Sequence, residues 1–162
     1  DFLKDLFIKA FTEGLDPARR VRESEWKQAL MQLQDSIVQC SCKAGNFASL
    51  AQGQQHCWKC KQPLPAFMRL QFSARKFVVL GANTKLYPHH LDPNRTYDTS
   101  EQWANVAQHP QDPNIWGLKN LSPNVWKATP ANGEMKAVEH GRSVVLALQT
   151  QVDFGLVQAV IV

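Results

Sequence analysis

The sequence predicts an α+β protein: a helical hairpin first, then a cysteine-bearing knuckle, then an all-β sandwich. Three observations predict it. Apolar residues recur at helical spacing before residue 39. All four cysteines of the 162-residue chain fall in one stretch, as Cys40-Ser41-Cys42 and Cys57-Trp58-Lys59-Cys60. From Phe67 onward, short apolar runs alternate with turn residues. The parts divide as 1–39, 40–65 and 66–162.

Residues 1–14 predict an amphipathic helix, with Leu3, Phe7, Ala10 and Phe11 near one face, Phe2 and Leu6 widening it, and Gly14 as the stop. Asp16-Pro17 reads as a cap followed by a first-turn proline. A second helix is expected over 23–38, where Trp26, Ala29, Leu30, Leu33 and Ile37 repeat at helical spacing. Two short helices carry more apolar surface here than they can bury against each other. Either the later strands cover it, or it belongs to a larger helical domain.

The two cysteine pairs are separated by residues 43–56. A thiolate pair on each of two tight turns is the pattern of a structural zinc site, with Cys40, Cys42, Cys57 and Cys60 as ligands. His56 is the reserve ligand. Two disulfides are the competing reading, but they suit secreted domains, and no signal peptide or membrane-length apolar run is visible. Redox chemistry at Cys57 and Cys60 would call for a βαβ setting that the pattern lacks. The intervening loop offers only Phe47 and Leu50 as large apolar groups, too few for a core. Zinc would supply the difference: its apparent binding energy of about 10–16 kcal/mol acts as folding energy. Four thiolates leave no open coordination position, so the ion is expected to be structural rather than catalytic.

Strands are expected over 67–72, 76–80, 84–87, 103–107, 116–120, 125–128, 135–138, 143–148, 151–154 and 156–162, with turn residues between them. Short strands at this spacing suggest a sandwich. Residues 89–102 form a long polar gap. Trp103, Trp116 and Trp126 are expected to pack the sandwich, and His89, His90, His109 and His140 to be ordinary surface histidines.

Composition narrows the function. Hydrophobic residues make up 44% of the chain, enough for a packed core. Net charge is +4, with only Arg19, Arg20 and Arg22 clustered. A basic stripe interleaved with aromatics is not visible, so nucleic acid is not expected as a partner. No membrane association is expected either, and the location expected is cytoplasmic. No catalytic triad or acid/base pair is legible.

Residues 7–26 resemble the end of the C-terminal lobe of bacterial Ser/Thr protein kinases. The matching residues are Ala10-Phe11, Gly14, Asp16-Pro17, Arg20, Glu25-Trp26, Leu30 and Leu33, with Val21 where that family usually has proline. By position, Arg20 is the arginine that pairs with the glutamate of the family's A-P-E motif. The chain has no Gly-rich loop, V-A-I-K lysine, H-R-D or D-F-G, and phosphoryl transfer needs those groups together. The resemblance therefore implies a non-catalytic segment of a kinase polypeptide. The Cys57-Trp58-Lys59-Cys60 run is similar to a metal ribbon that follows the lobe in some of these kinases.

The second half resembles a forkhead-associated (FHA) domain through Leu118, Asn120-Leu121-Ser122, Asn124, Trp126, Val138, Gly141, Val144, Leu146, Val152 and Phe154-Gly155. Such domains bind phosphothreonine peptides through an arginine, a serine and an asparagine. Asn124 matches that asparagine. Gly81-Ala82 stands where the arginine is usual. Lys119, Asn120 and Asn124 are the candidate partner-binding residues. The combined resemblance is to kinases that occur with a von Willebrand A protein and a PP2C-type phosphatase in tellurium-resistance-type stress systems. It implies a regulatory and docking segment, with one of those proteins as partner and zinc fixing the β-domain to the lobe. Two alternatives stand beside it: a phosphopeptide-binding FHA-like module, and a zinc-ribbon nucleic-acid binder.

Overall fold

The computed structural model describes residues 2–48 and 55–162. Asp1 and Leu50, used in the sequence reading, lie outside the described residues. The chain forms two units, Asp1–Asp35 and Ser36–Val162.

In the first unit, α1 (Phe2–Thr12) and α2 (Glu23–Asp35) flank a single 3-10 turn at Pro17–Arg19. The Asp16 carboxylate caps that turn by accepting the Ala18 N–H at 2.9 Å, as the Asp-Pro pair predicts. Glu25 accepts the Arg22 N–H at 2.8 Å and pairs with the Lys9 ammonium at 2.9 Å, so one carboxylate both caps α2 and ties it to α1. Phe7 meets Trp26 edge to face with ring centroids 4.9 Å apart. Gly14 is required sterically: a Cβ there would lie 2.1 Å from the Ala10 carbonyl oxygen.

The second helix is shorter than its periodicity predicts. It ends at Asp35, and Ile37–Gln39 form a strand, β1. The β-branched Ile37 and Val38 suit an extended backbone better than a helix end, and β1 pairs antiparallel with β2 (Gly45–Phe47). The connection of this hairpin carries Cys40 and Cys42, and Cys57 and Cys60 lie on a separate turn after β2.

Ten further strands follow: β3 (Met68–Gln71), β4 (Phe77–Leu80), β5 (Lys85–Leu86), β6 (Ala104–Gln108), β7 (Trp116–Asn120), β8 (Trp126–Thr129), β9 (Lys136–Val138), β10 (Ser143–Val145), β11 (Gln151–Asp153) and β12 (Gln158–Ile161). They build a four-stranded sheet, β10-β7-β6-β5, and a six-stranded sheet, β4-β3-β12-β11-β8-β9, antiparallel throughout. The inner faces share one core. Leu86, Val106, Leu118 and Val144 come from one sheet, and Leu70, Val78, Trp126, Val152, Phe154 and Ile161 from around the other. Trp103 and Trp126 are buried in it and Trp116 packs against it, as expected.

Strand β4 is buried at all four residues. Its alternation explains this: Val78 and Leu80 face the sandwich core, while Phe77 and Val79 face outward and are covered by Val38, with Ala48 and Phe67 alongside. The cysteine hairpin is thus packed on the outer side of β4. The polar gap contains a four-residue helix, α3 (Pro88–Leu91). Its His90 is a correction to the surface reading. The residue is buried, and its Nδ1 accepts the Tyr87 N–H at 2.9 Å. Among the described residues, no helix is long and apolar enough to cross a membrane.

Candidate metal centre

Each cysteine pair sits on a tight turn whose backbone is held from below. In the first, Cys40 N–H donates to Ala44 O at 2.9 Å and Lys43 N–H to Cys40 O at 2.8 Å. In the second, Cys57 N–H donates to Gln62 O at 2.8 Å and Lys61 N–H to Cys57 O at 3.0 Å. Both turns use a lysine in the left-handed region, Lys43 at φ 65° and Lys61 at φ 62°. That conformation opposes ordinary L-residue sterics, and it curls each turn so that its sulphurs face inward.

The four sulphurs converge. Cys40 Sγ lies 3.6 Å from Cys60 Sγ, and Cys42 Sγ 3.7 Å from Cys57 Sγ. All four lie within 4.8 Å of one another. None is in a disulfide, and these separations are far beyond an S–S bond of about 2.05 Å. A tetrahedral ion with Zn–S bonds of about 2.3 Å sets its sulphurs about 3.8 Å apart, so the two short separations fit a four-thiolate zinc site. The sequence-predicted ligands are all brought together. His56 is exposed and pairs in a β-bridge with Pro63 instead.

Asn46, which the sequence reading missed, organises the site. It is buried on β2, beside Val38 on the hairpin's inner face. Its Oδ1 accepts the Trp58 N–H at 3.0 Å, while its Nδ2 donates to Ala44 O at 2.9 Å and reaches Cys57 Sγ at 3.6 Å. One side chain therefore ties the first turn to the second. The sequence carried no signal for it, because the β1–β2 pairing that turns Asn46 inward has no apolar alternation.

The thiols are not electrostatically equivalent. Main-chain N–H groups of Cys60 and Lys59 and the Asn46 amide favour the Cys57 thiolate and hold it down to about 6, against the upward push of burial. Cys40 is pushed up to about 11: the Cys42 N–H lowers it, but burial and the Cys60, Cys57 and Cys42 thiols together raise it more. Crowded thiols cannot all ionise alone. A dication among them removes the opposition, because a coordinating thiol is deprotonated outright.

No family model, no curated protein and no solved structure matches this chain.

The other three predicted site residues lie at the end of β7. Lys119 is half-buried within the strand and Asn124 is exposed. Asn120 is not available to a partner: it is fully buried and its amide is saturated. It donates to Asn124 O at 2.8 Å and Val138 O at 2.9 Å, and accepts from the Ser122 N–H at 2.9 Å and Oγ–H at 2.8 Å. Ser122 in turn accepts the Trp126 indole N–H at 3.0 Å. Two of the connections that cross between the sheets, 121–125 and 139–142, are clasped here. Arg142 O and Gly141 N–H bond the Asn120 main chain, at 2.8 and 2.7 Å.

Proposed function

We propose that this chain is a non-catalytic regulatory and docking segment of a bacterial Ser/Thr protein kinase. One structural zinc ion on Cys40, Cys42, Cys57 and Cys60 shapes it, and it recruits a protein partner. The observation that carries the reading is the convergence of four thiols from two turns, one of them the connection of the hairpin packed against β4. A closed four-thiolate site contributes folding energy and leaves no position for substrate. The kinase assignment rests on the resemblance of residues 7–26 alone. Elemental analysis of the purified chain should give about one zinc per molecule. Co-purification with a von Willebrand A protein or PP2C-type phosphatase from the same organism should retain one of them. A metal-free folded preparation ends the zinc reading, and retention of neither protein ends the partner reading.

The FHA-like alternative is favoured by one observation, the Asn120-Ser122-Asn124 turn at a crossing between two sheets. The stretch from Gly81 to Thr84 offers no cation, and phosphate recognition relies on charge-assisted bonds, with the arginine fork strongest. Calorimetry with phosphothreonine peptides is therefore expected to show nothing tighter than about millimolar, roughly −4 kcal/mol. Micromolar binding lost in Asn124→Ala would establish the alternative.

A further inference from the structure

The net charge is segregated along the chain. Between Asp35 and Asp92 the sequence has seven lysines and arginines and no acid. Three of these cations, Lys43, Lys59 and Lys61, stand exposed on the cysteine knuckles. Four thiolates around a dication would leave two negative charges, so the knuckle lysines exceed what the metal site itself neutralises.

The same hairpin has an apolar outer face. Val38 and Asn46 take the inward positions, which leaves Ile37 and Phe47, directly opposite each other across β1 and β2, pointing out. They are 45% and 58% exposed. Trp58 is 65% exposed, yet it is held in place by its indole N–H, which donates to Gly45 O at 2.9 Å. A main-chain carbonyl lies in the plane of the sheet, so this bond holds the indole at the edge of β2. An anchored, exposed tryptophan loses little freedom on binding, and tryptophan is among the side chains that dominate interfaces.

We propose that the exposed apolar side chains here, Ile37 and Phe47 on the hairpin and Trp58 at its edge, together with the knuckle lysines Lys43, Lys59 and Lys61, dock an acidic segment of a partner protein that carries apolar anchor side chains. The proposal rests on the docking reading above and names the chemistry of the partner. Carboxylates answer the ammonium groups, and apolar side chains cover the hairpin. Single-stranded nucleic acid would use the aromatic faces for stacking but would leave Ile37 uncovered. It would also meet only lysines, not the planar arginine fork suited to phosphate.

The test is an anisotropy titration of the whole zinc-loaded chain with a labelled short peptide alternating Glu and Asp with Leu and Phe. The same peptide with Lys in place of its acids, and oligothymidylate, serve as the other arms. The acidic peptide should bind at least about tenfold more tightly than the basic one. Phe47→Ser should weaken it about tenfold, and Lys43→Glu with Lys59→Glu should reverse the peptide preference. Both variants alter exposed side chains, and unchanged zinc content confirms their fold. Equal binding of the two peptides, variants without effect, or tighter binding of oligothymidylate with a steep loss in salt would each overturn the proposal. Retention of the von Willebrand A or phosphatase partner by these same variants would leave the docking reading standing and remove this face from it.

Discussion

Asn120 and Asn46 show how much a single buried amide can decide. Both are short polar residues that a sequence reading assigns to surface or loop. In the fold each is saturated or nearly so by groups from separate segments. Sequence could not reveal this, because the partners of Asn120 are carbonyls at Asn124 and Val138 whose positions depend on the completed sheets. The four cysteines were legible because metal ligation leaves a spacing signature; amide clasps leave none. Asn120→Ala should strand the Val138 and Asn124 carbonyls and the Ser122 donors, costing about 3 kcal/mol. Asn120→Asp should be no better, since a carboxylate would face those two carbonyls. Urea denaturation measures both, and a loss under about 1 kcal/mol would remove the clasp role. Lys43 makes the opposite point. Its φ of 65° is a cost that glycine avoids, so Lys43→Gly is expected to stabilise the chain by up to about 1 kcal/mol.

At the scale of elements, legibility followed periodicity. The ten strands after Phe67 were each foreseen to within a few residues, because apolar alternation and turn residues bound them on both sides. The β1–β2 hairpin was not foreseen. Gly45-Asn46-Phe47 shows no apolar alternation, and its inward position is filled by an amide serving the thiols. Helix α3 was hidden in the polar gap because four residues cannot display a helical period. The loop after α3 gives a pH-dependent prediction. Asp98 accepts from the Ser100 Oγ–H at 2.6 Å and N–H at 2.9 Å and pairs with Arg95 at 2.7 Å. The Ser100 donors, then Arg95, hold its carboxyl down to about 2 from an ordinary 3.8. A depressed carboxyl stabilises the fold above its unfolded value. That contribution is therefore intact above about pH 4 and is lost as pH falls through about 2. Carbon-detected NMR of the Asp98 carboxyl should show the low midpoint, and Ser100→Ala should move it up. The helical unit gives another. Phe11 and Leu30 are 80% and 54% exposed, an apolar surface of the kind that drives association. Light scattering should show self-association of the chain, abolished in Phe7→Glu with Phe11→Glu.

For the whole molecule, the question is what zinc holds. The sandwich core is one large cluster spanning both sheets and needs no metal. Among the described residues, Ala44 and Leu64 join the cysteines around the thiols. That cluster is too small to repay the ordering of two turns that each hold a lysine in the left-handed region. The hairpin also covers Phe77 and Val79 on the outer side of β4, so its loss would leave two core-grade side chains open to water. Removing zinc should therefore loosen the hairpin while the sandwich stays folded. With a chelator present, amide exchange at Val38, Asn46 and Ala48 should accelerate by orders of magnitude, while Leu118 and Val152 stay protected. Near-ultraviolet signals from Trp126 should persist, and a hydrophobic dye should bind the uncovered face of β4. Cys60→Ser should reproduce the same state without a chelator, since one missing thiolate opens the coordination shell. If the hairpin and the sandwich instead lose protection together, the metal supports the entire β-domain. If neither changes, the thiols are not a metal site.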